Sequence, residues 1–223
     1  MKLKDIIEFR GYLLVGDSGL RIGGSKDYVG IGETDNPIIR NPMTDRPYVP
    51  GSSIKGKIRS LLELKRGFKP KKPGQPCACG TCDICLLFGP HDTAAIQSPT
   101  RLIFRDCQPT KDTIEKWEKA GADTDIKTEV LIDRDKGVAY GNIGPRTSER
   151  IPAGSVFNFS FSVRLFEGDD RKKLLETVAE GFDLLEKDYL GGYGSRGYGE
   201  VWFLNEDGET PLSKVIREKA QGE

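Results

Sequence analysis

Residues 155 to 166, SVFNFSFSVRLF, place Phe157, Phe159, Phe161, Val163 and Leu165 at every second position, with Asn158, Ser160, Ser162 and Arg164 between them. A two-residue period of this kind fits a strand that is buried on one face and wet on the other. The stretch that follows, RKKLLETVAEGFDLLEKDYL (171–190), changes period and aligns Leu174, Val178, Phe182, Leu185 and Tyr189 along one helical face. A glycine loop, GGYGSRGYGE (191–200), then leads into EVWFL (200–204), which reads as a closing strand. The second half of the chain is therefore strand, helix, strand.

The first half repeats that order. DIIEFRGYLLV (5–15) is strand-like, and IIRNPMTDRPYVPGSS reads as a short strand, a turn and another short strand. Ser52 and Ser53 are placed to cap a helix over IKGKIRSLLELKRG, with Ile54, Ile58, Leu61, Leu62 and Leu64 on its apolar side and Gly67 as its stop. RLIFRDC (101–107) follows as a strand, and TIEKWEKA (113–120) as a short helix. The expected fold is α+β: a βαββαβ ferredoxin-like core in one domain over 1–223. Two stretches interrupt it. Residues 68–99 are rich in cysteine and proline without a period, and read as an insertion rather than a core element. Residues 123–152 are polar, with a hairpin expected around Asp135-Lys136-Gly137, and read as a protruding arm.

Charge narrows the function. The 34 basic and 34 acidic residues cancel, which excludes a surface that is basic all over but leaves room for a local basic stripe. With 30% charged residues, no apolar run near the roughly 20 residues a bilayer span requires, and no secretion signal at the N-terminus, the chain is expected to be cytoplasmic and free of membrane. It has one histidine, His91, so a two-histidine ribonuclease is impossible. Any chemistry must rest on carboxylates, lysines, tyrosines or bound metal.

Four motifs carry chemistry. Cys77-x-Cys79-x-x-Cys82-x-x-Cys85 gathers four thiols, the ligand set of a closed structural Zn²⁺ site, with His91 as an alternative ligand most plausibly replacing Cys77 and an iron–sulfur cluster as the competing occupant. Gly192-x-Gly194-x-x-Gly197 matches a dinucleotide fingerprint, but that fingerprint needs strand, loop, helix, and here the order is helix, loop, strand. Two readings remain: a C-capping glycine turn, or a loop whose Gly194, Ser195, Arg196 and Gly197 let a polyanion backbone approach. Between Lys55 and Lys72 stand eight basic residues against the single acid Glu63. Lys55 and Arg59, four apart, share a helix face with Lys57 nearby, and with Ser52 and Ser53 at the helix start they would hold phosphates. Asp35, before Asn36-Pro37, is either ordinary turn chemistry or a carboxylate for a divalent cation or a ribose hydroxyl.

GLRIGGS (19–25), IGETDNPIIRNP (31–42), PGSSIKGKIRS (50–60) and YLGGYGSRGYG (189–199) occur together in this order, and so the chain resembles the RAMP superfamily. Within it, the chain is most similar to the backbone subunits of type III-A CRISPR (Csm) effector complexes, whose type III-B cousins share these motifs. The resemblance implies that the ferredoxin-like core is of the RNA-recognition-motif type, and that copies stack as a filament along a CRISPR guide RNA. The partners it implies are complementary target RNA and the other Csm subunits, including the large polymerase/cyclase-like subunit and the small subunit. It makes 123–152 the family's thumb hairpin and sets Gly23, Gly24 and the Lys55/Arg59 helix against the guide backbone. It places the aspartate for target-RNA cleavage at Asp35, with Mg²⁺ or Mn²⁺ required. The alternative is a guide-binding scaffold without nuclease activity.

Overall fold

The computed structural model describes residues 1–24, 37–68, 74–92, 94, 98–140 and 144–222. The elements of the first half are β1 (Leu3–Val15), α1 (Gly51–Lys65), α2 (Asp83–Phe88), β2 (Leu102–Phe104) and α3 (Lys111–Ala120). The second half adds β3 (Asp125–Glu129), β4 (Arg146–Arg150), β5 (Val156–Phe166), α4 (Arg171–Glu186), β6 (Val201–Asn205) and α5 (Leu212–Gln221). This is a mixed α/β structure with antiparallel sheets. The main sheet has the order β2-β5-β1-β6, and β3-β4 form a separate hairpin.

The alternation in β5 sets the register. Phe161 lies opposite Phe9 of β1, and Phe157 lies opposite Leu13, which in turn faces Phe203 of β6. All five residues are buried, and α1 and α4 pack against this face. The Phe182 ring of α4 lies 5.8, 5.3 and 5.0 Å from the Phe159, Phe161 and Phe203 rings. Such ring pairs add about 0.5–1.5 kcal/mol each beyond the area they bury. The two helices touch at Gly181, where a Cβ would stand 2.4 Å from Ile58 Cγ2, so only glycine fits. On the other face of the sheet Glu8, Arg10, Asn158, Ser160 and Ser162 point into an open polar groove of about 570 Å³.

Several expectations are revised. Ser52 and Ser53 do not cap α1: the helix begins at Gly51, and the Pro50 cap position makes no side-chain bond. The Gly51 N–H instead donates to the Asp106 carboxylate at 2.8 Å, a partner 55 residues away that no local pattern shows. A carboxylate there also satisfies the positive end of the helix dipole. Leu64 is 73% exposed rather than on the apolar side. The stretch 68–99 is not all peripheral, because α2 lies within it and sends Ile84, Leu87 and Phe88 into the core. α5, which the sequence reading leaves out, packs on α4 and buries Leu212, Ile216 and Ala220. The arm is present as β3 and β4, with a turn in which the Gly137 N–H donates to the Asp133 carbonyl at 2.8 Å. Ile126, Val130, Leu131, Ile132 and Val138 are exposed along it.

Candidate nucleic-acid interface and metal centre

The four clustered cysteines converge. The Sγ atoms of Cys77, Cys79, Cys82 and Cys85 all lie within 4.8 Å of one another and could hold a metal ion. The Cys77–Cys82 and Cys79–Cys85 separations are both 3.8 Å. Four thiolates at about 2.3 Å around a tetrahedral ion sit about 3.8 Å apart, whereas a disulfide needs about 2.05 Å. His91 lies outside this group of ligand atoms. It is exposed, and its backbone N–H donates to the Cys77 carbonyl at 3.1 Å. Burial pushes the Cys82 and Cys85 thiols up. Burial also opposes ionisation of Cys79, but hydrogen bonds from Thr81 and Cys82 outweigh it and draw that thiol down to about 6. The Cys79 thiolate therefore forms readily, whereas a nearby cation would favour ionisation of the raised Cys82 and Cys85 thiols.

Arg59 proves to belong to this centre rather than to a phosphate-binding face. Its guanidinium donates to Glu63 at 2.9 Å and to the Cys77 carbonyl at 2.7 Å, while Glu63 accepts the Cys77 N–H at 3.0 Å. The pair grips both sides of the Cys77 peptide and fastens the cysteine segment to α1. Lys55 is likewise turned inward, donating to the Leu102 carbonyl at 3.1 Å. Burial first, then Arg59 and Arg164, lower its pKa. Lys57 lies 2.8 Å from Asp188 and 3.5 Å from the centroid of the Tyr189 ring. Ser52 is exposed and Ser53 half-buried beside a helix start that Asp106 already occupies. The net positive charge of this segment thus overstates how much of it is free for a polyanion.

The glycine loop divides into packed and open positions. A Cβ at Gly191 would stand 2.1 Å from the Arg21 carbonyl, one at Gly194 would enter the Tyr189 ring at 2.0 Å, and one at Gly199 would stand 2.1 Å from the Leu190 carbonyl. These three glycines serve close packing. Gly197, at φ +77°, meets nothing within 4 Å, and Gly23 faces only the Arg21 guanidinium at 3.8 Å. Gly24 packs against the Ile38 carbonyl at 2.9 Å. Open, side-chain-free backbone remains at Gly23 and Gly197, with Ser195 and Arg196 exposed between the packed and open glycines.

Cations gather around that opening. Arg21 and Arg196 lie 4.4 and 4.8 Å from the centroid of Tyr193, a tyrosine held in the left-handed region at φ 64°. Lys127 and Arg150, from the arm, lie 4.5 and 5.7 Å from that of Tyr198. The buried Arg21 Nε has no hydrogen-bond partner among the described residues. Sequence reasoning found Arg196 but missed Arg21, Lys127, Arg150, Tyr193 and Tyr198. Arg21 was legible, since it stands two residues before Gly23 in GLRIGGS, whereas the arm's cations reach the loop only through the fold.

Asp35 lies outside the described residues, as does the rest of 25–36. The chain on either side of that segment is held together: the Gly24 N–H donates to the Pro37 carbonyl at 3.2 Å, and the Ile39 N–H to the Ile22 carbonyl at 2.8 Å. Glu149 of the arm accepts the Ile38 N–H at 2.9 Å, and Arg40 forks onto Asp123 at 2.8 and 3.0 Å.

A four-stranded antiparallel sheet backed by two helices, a cation-rimmed glycine loop and a hairpin arm define a class, and the family comparison states which one. The model of the RAMP superfamily matches residues 7–202, and the chain belongs to that superfamily. Among its relatives it is 42% identical over 215 residues to the CRISPR system Cms endoribonuclease Csm3 of Methanothermobacter thermautotrophicus, covering 88% of this chain and 84% of that protein. It is 46% identical over 193 residues to the protein of the same name from Methanocaldococcus jannaschii, covering 84% of this chain and 74% of that one. Among solved structures it is similar to a chain of a Csm3-Csm4 subcomplex in the type III-A CRISPR-Cas interference complex, with TM-score 0.61, 30% identity, and 99% and 97% of the two chains covered. Methanopyrus kandleri Csm3 is similar at TM-score 0.62 and 25% identity, over 90% of this chain and 75% of that one.

Proposed function

We propose that this chain is a backbone subunit of a type III-A CRISPR effector that binds guide RNA and cleaves complementary target RNA. The observation that carries the reading is 46% identity, over 84% of the chain, to a protein named as a CRISPR endoribonuclease. The strand order β2-β5-β1-β6, with α1 on the crossover from β1 to β2 and α4 on the crossover from β5 to β6, supports a ferredoxin-like core of the RNA-recognition type. Residues 1–223 would form a single domain, with 68–99 carrying the metal and 123–152 acting as the thumb.

In this reading the guide backbone lies along the open glycines Gly23 and Gly197 and meets Arg21, Ser195 and Arg196. Gly24, Gly194 and Lys57 support that surface, while Lys55 and Arg59 are turned inward to Leu102 and the cysteine segment, and Ser52 and Ser53 flank the helix start that Asp106 occupies. Copies stack along the guide in the cytoplasm beside the other Csm subunits, and target RNA pairs with the guide across them. Asp35 would hold a divalent cation or take the proton of an attacking ribose 2′-hydroxyl. The cation, Mg²⁺ or Mn²⁺, supplies charge neutralisation at the phosphate. The assembled complex is expected to cut complementary RNA at regular intervals with Mg²⁺ and to stop when a chelator is added. Intact RNA under both conditions would overturn the nuclease and leave the scaffold.

The cysteine centre is proposed to hold Zn²⁺, supported by the 3.8 Å sulfur spacing. About one zinc per chain is expected by elemental analysis. Cys82→Ala should release it and lower the melting temperature, while RNA binding at the glycine loop persists. Iron with labile sulfide would sink the assignment.

A further inference from the structure

Arg196 is half exposed, yet it is already paired. Its guanidinium lies 3.2 Å from Glu129, and its carbonyl accepts from Lys127 Nζ at 2.8 Å. Both partners stand on β3, the first strand of the arm, so Arg196 is one of the residues that dock the arm onto the glycine loop, beside Tyr198 with Lys127 and Arg150. The Arg196 and Glu129 side chains are 48% and 23% exposed. An ion pair that wet is weak and readily exchanged, whereas a phosphodiester offers a guanidinium a bidentate partner of the same sign. The neighbouring Gly197 leaves the approach open.

Resting on the RNA-binding reading above, we propose that Glu129 is an internal stand-in for phosphate. It occupies Arg196 while the chain is free of RNA, and an RNA phosphate must displace it. Guide loading and docking of the arm therefore oppose one another at Arg196. By reciprocity, the factor by which docking of the arm weakens RNA binding equals the factor by which bound RNA weakens docking. Arg21, held on the same tyrosine ring as Arg196 but without a carboxylate partner among the described residues, serves as the standing cation of the site.

The test is a double-mutant cycle on the full chain, read by the affinity for a fluorescein-labelled oligouridylate at low salt. Glu129→Gln is expected to tighten binding about three- to fivefold, the scale of a lost exposed ion pair. In an Arg196→Ala background the gain is expected to shrink to the small share left by Lys127, which lies 3.7 Å from Glu129. An equal gain in both backgrounds would reduce Glu129 to one more repelling charge and overturn the proposal, as would no gain in the native background. A native chain that does not bind the oligouridylate at all would instead defeat the RNA-binding reading itself.

Discussion

Asp35→Ala is expected to lower regular target cleavage by about a hundredfold or more, the scale of losing a general base or a metal-binding carboxylate, while the complex still assembles and holds its guide. The expectation rests on the resemblance to the RAMP superfamily, which implies the cleaving aspartate at Asp35. With one histidine in the chain, an imidazole acid–base pair is excluded. The second support is the chain on either side of 25–36, fixed by the Gly24–Pro37 and Ile39–Ile22 hydrogen bonds and by Glu149 and Arg40 at the base of the arm. The measurement is the single-turnover rate with Mg²⁺, alongside guide occupancy of the purified complex. Asp35→Asn should be as inactive, because the amide neither binds a cation strongly nor accepts a proton. Undiminished cutting by either variant would assign the chemistry elsewhere.

The second large effect is structural. Arg101 and Asp169 form a bidentate pair at 3.0 and 2.8 Å, with side chains 3% and 7% exposed. Arg101 also donates to Ser98 and Pro99 and lies 4.8 Å from the centroid of the Phe166 ring, while Asp169 accepts the Phe166 N–H at 2.9 Å. The pair ties the start of β2 to the turn between β5 and α4. Asp169→Ala strands a buried guanidinium and is expected to cost about 3–5 kcal/mol, a fall of about 10 °C in melting temperature for a chain of this size. Breaking the exposed Arg46–Glu118 pair should cost under about 1 kcal/mol. A fall no larger than that for Asp169→Ala would mean that the pair is not desolvated.

The same pair sets a pH response. Burial pushes the Asp169 carboxyl up, but the Arg101 hydrogen bonds and the Phe166 N–H outweigh it and hold the pKa below 3.8. Because the folded value lies below the unfolded one, the stabilisation is complete above the ordinary carboxylate pKa. It is lost as the pH falls through the depressed value.

The fold was largely legible because its signals are local. The β5 alternation, the α4 stripe and the reversed order around the glycine loop each need only neighbouring residues. α5 was legible in the same way, with Leu212, Ile216 and Ala220 four residues apart, and was lost only because the reading stopped at β6. The cysteine spacing announced a thiol cluster that could hold a metal ion, without help from the fold. The basic helix misled for a physical reason: charge counts record which cations exist, not which are already paired.

What the sequence determined by itself was the order of the core strands and the two helices α1 and α4, the thiol cluster and the family, all written in short-range pattern. What only the tertiary structure decided was the partner of each charged group. It turned Arg59 toward the Cys77 peptide, placed Asp106 at the start of α1, and joined Arg21, Tyr193 and Arg196 into one cluster with the arm's Glu129. Pairing depends on the direction of a side chain after distant segments meet, and electrostatic attraction at a few ångströms outweighs any preference carried by local composition.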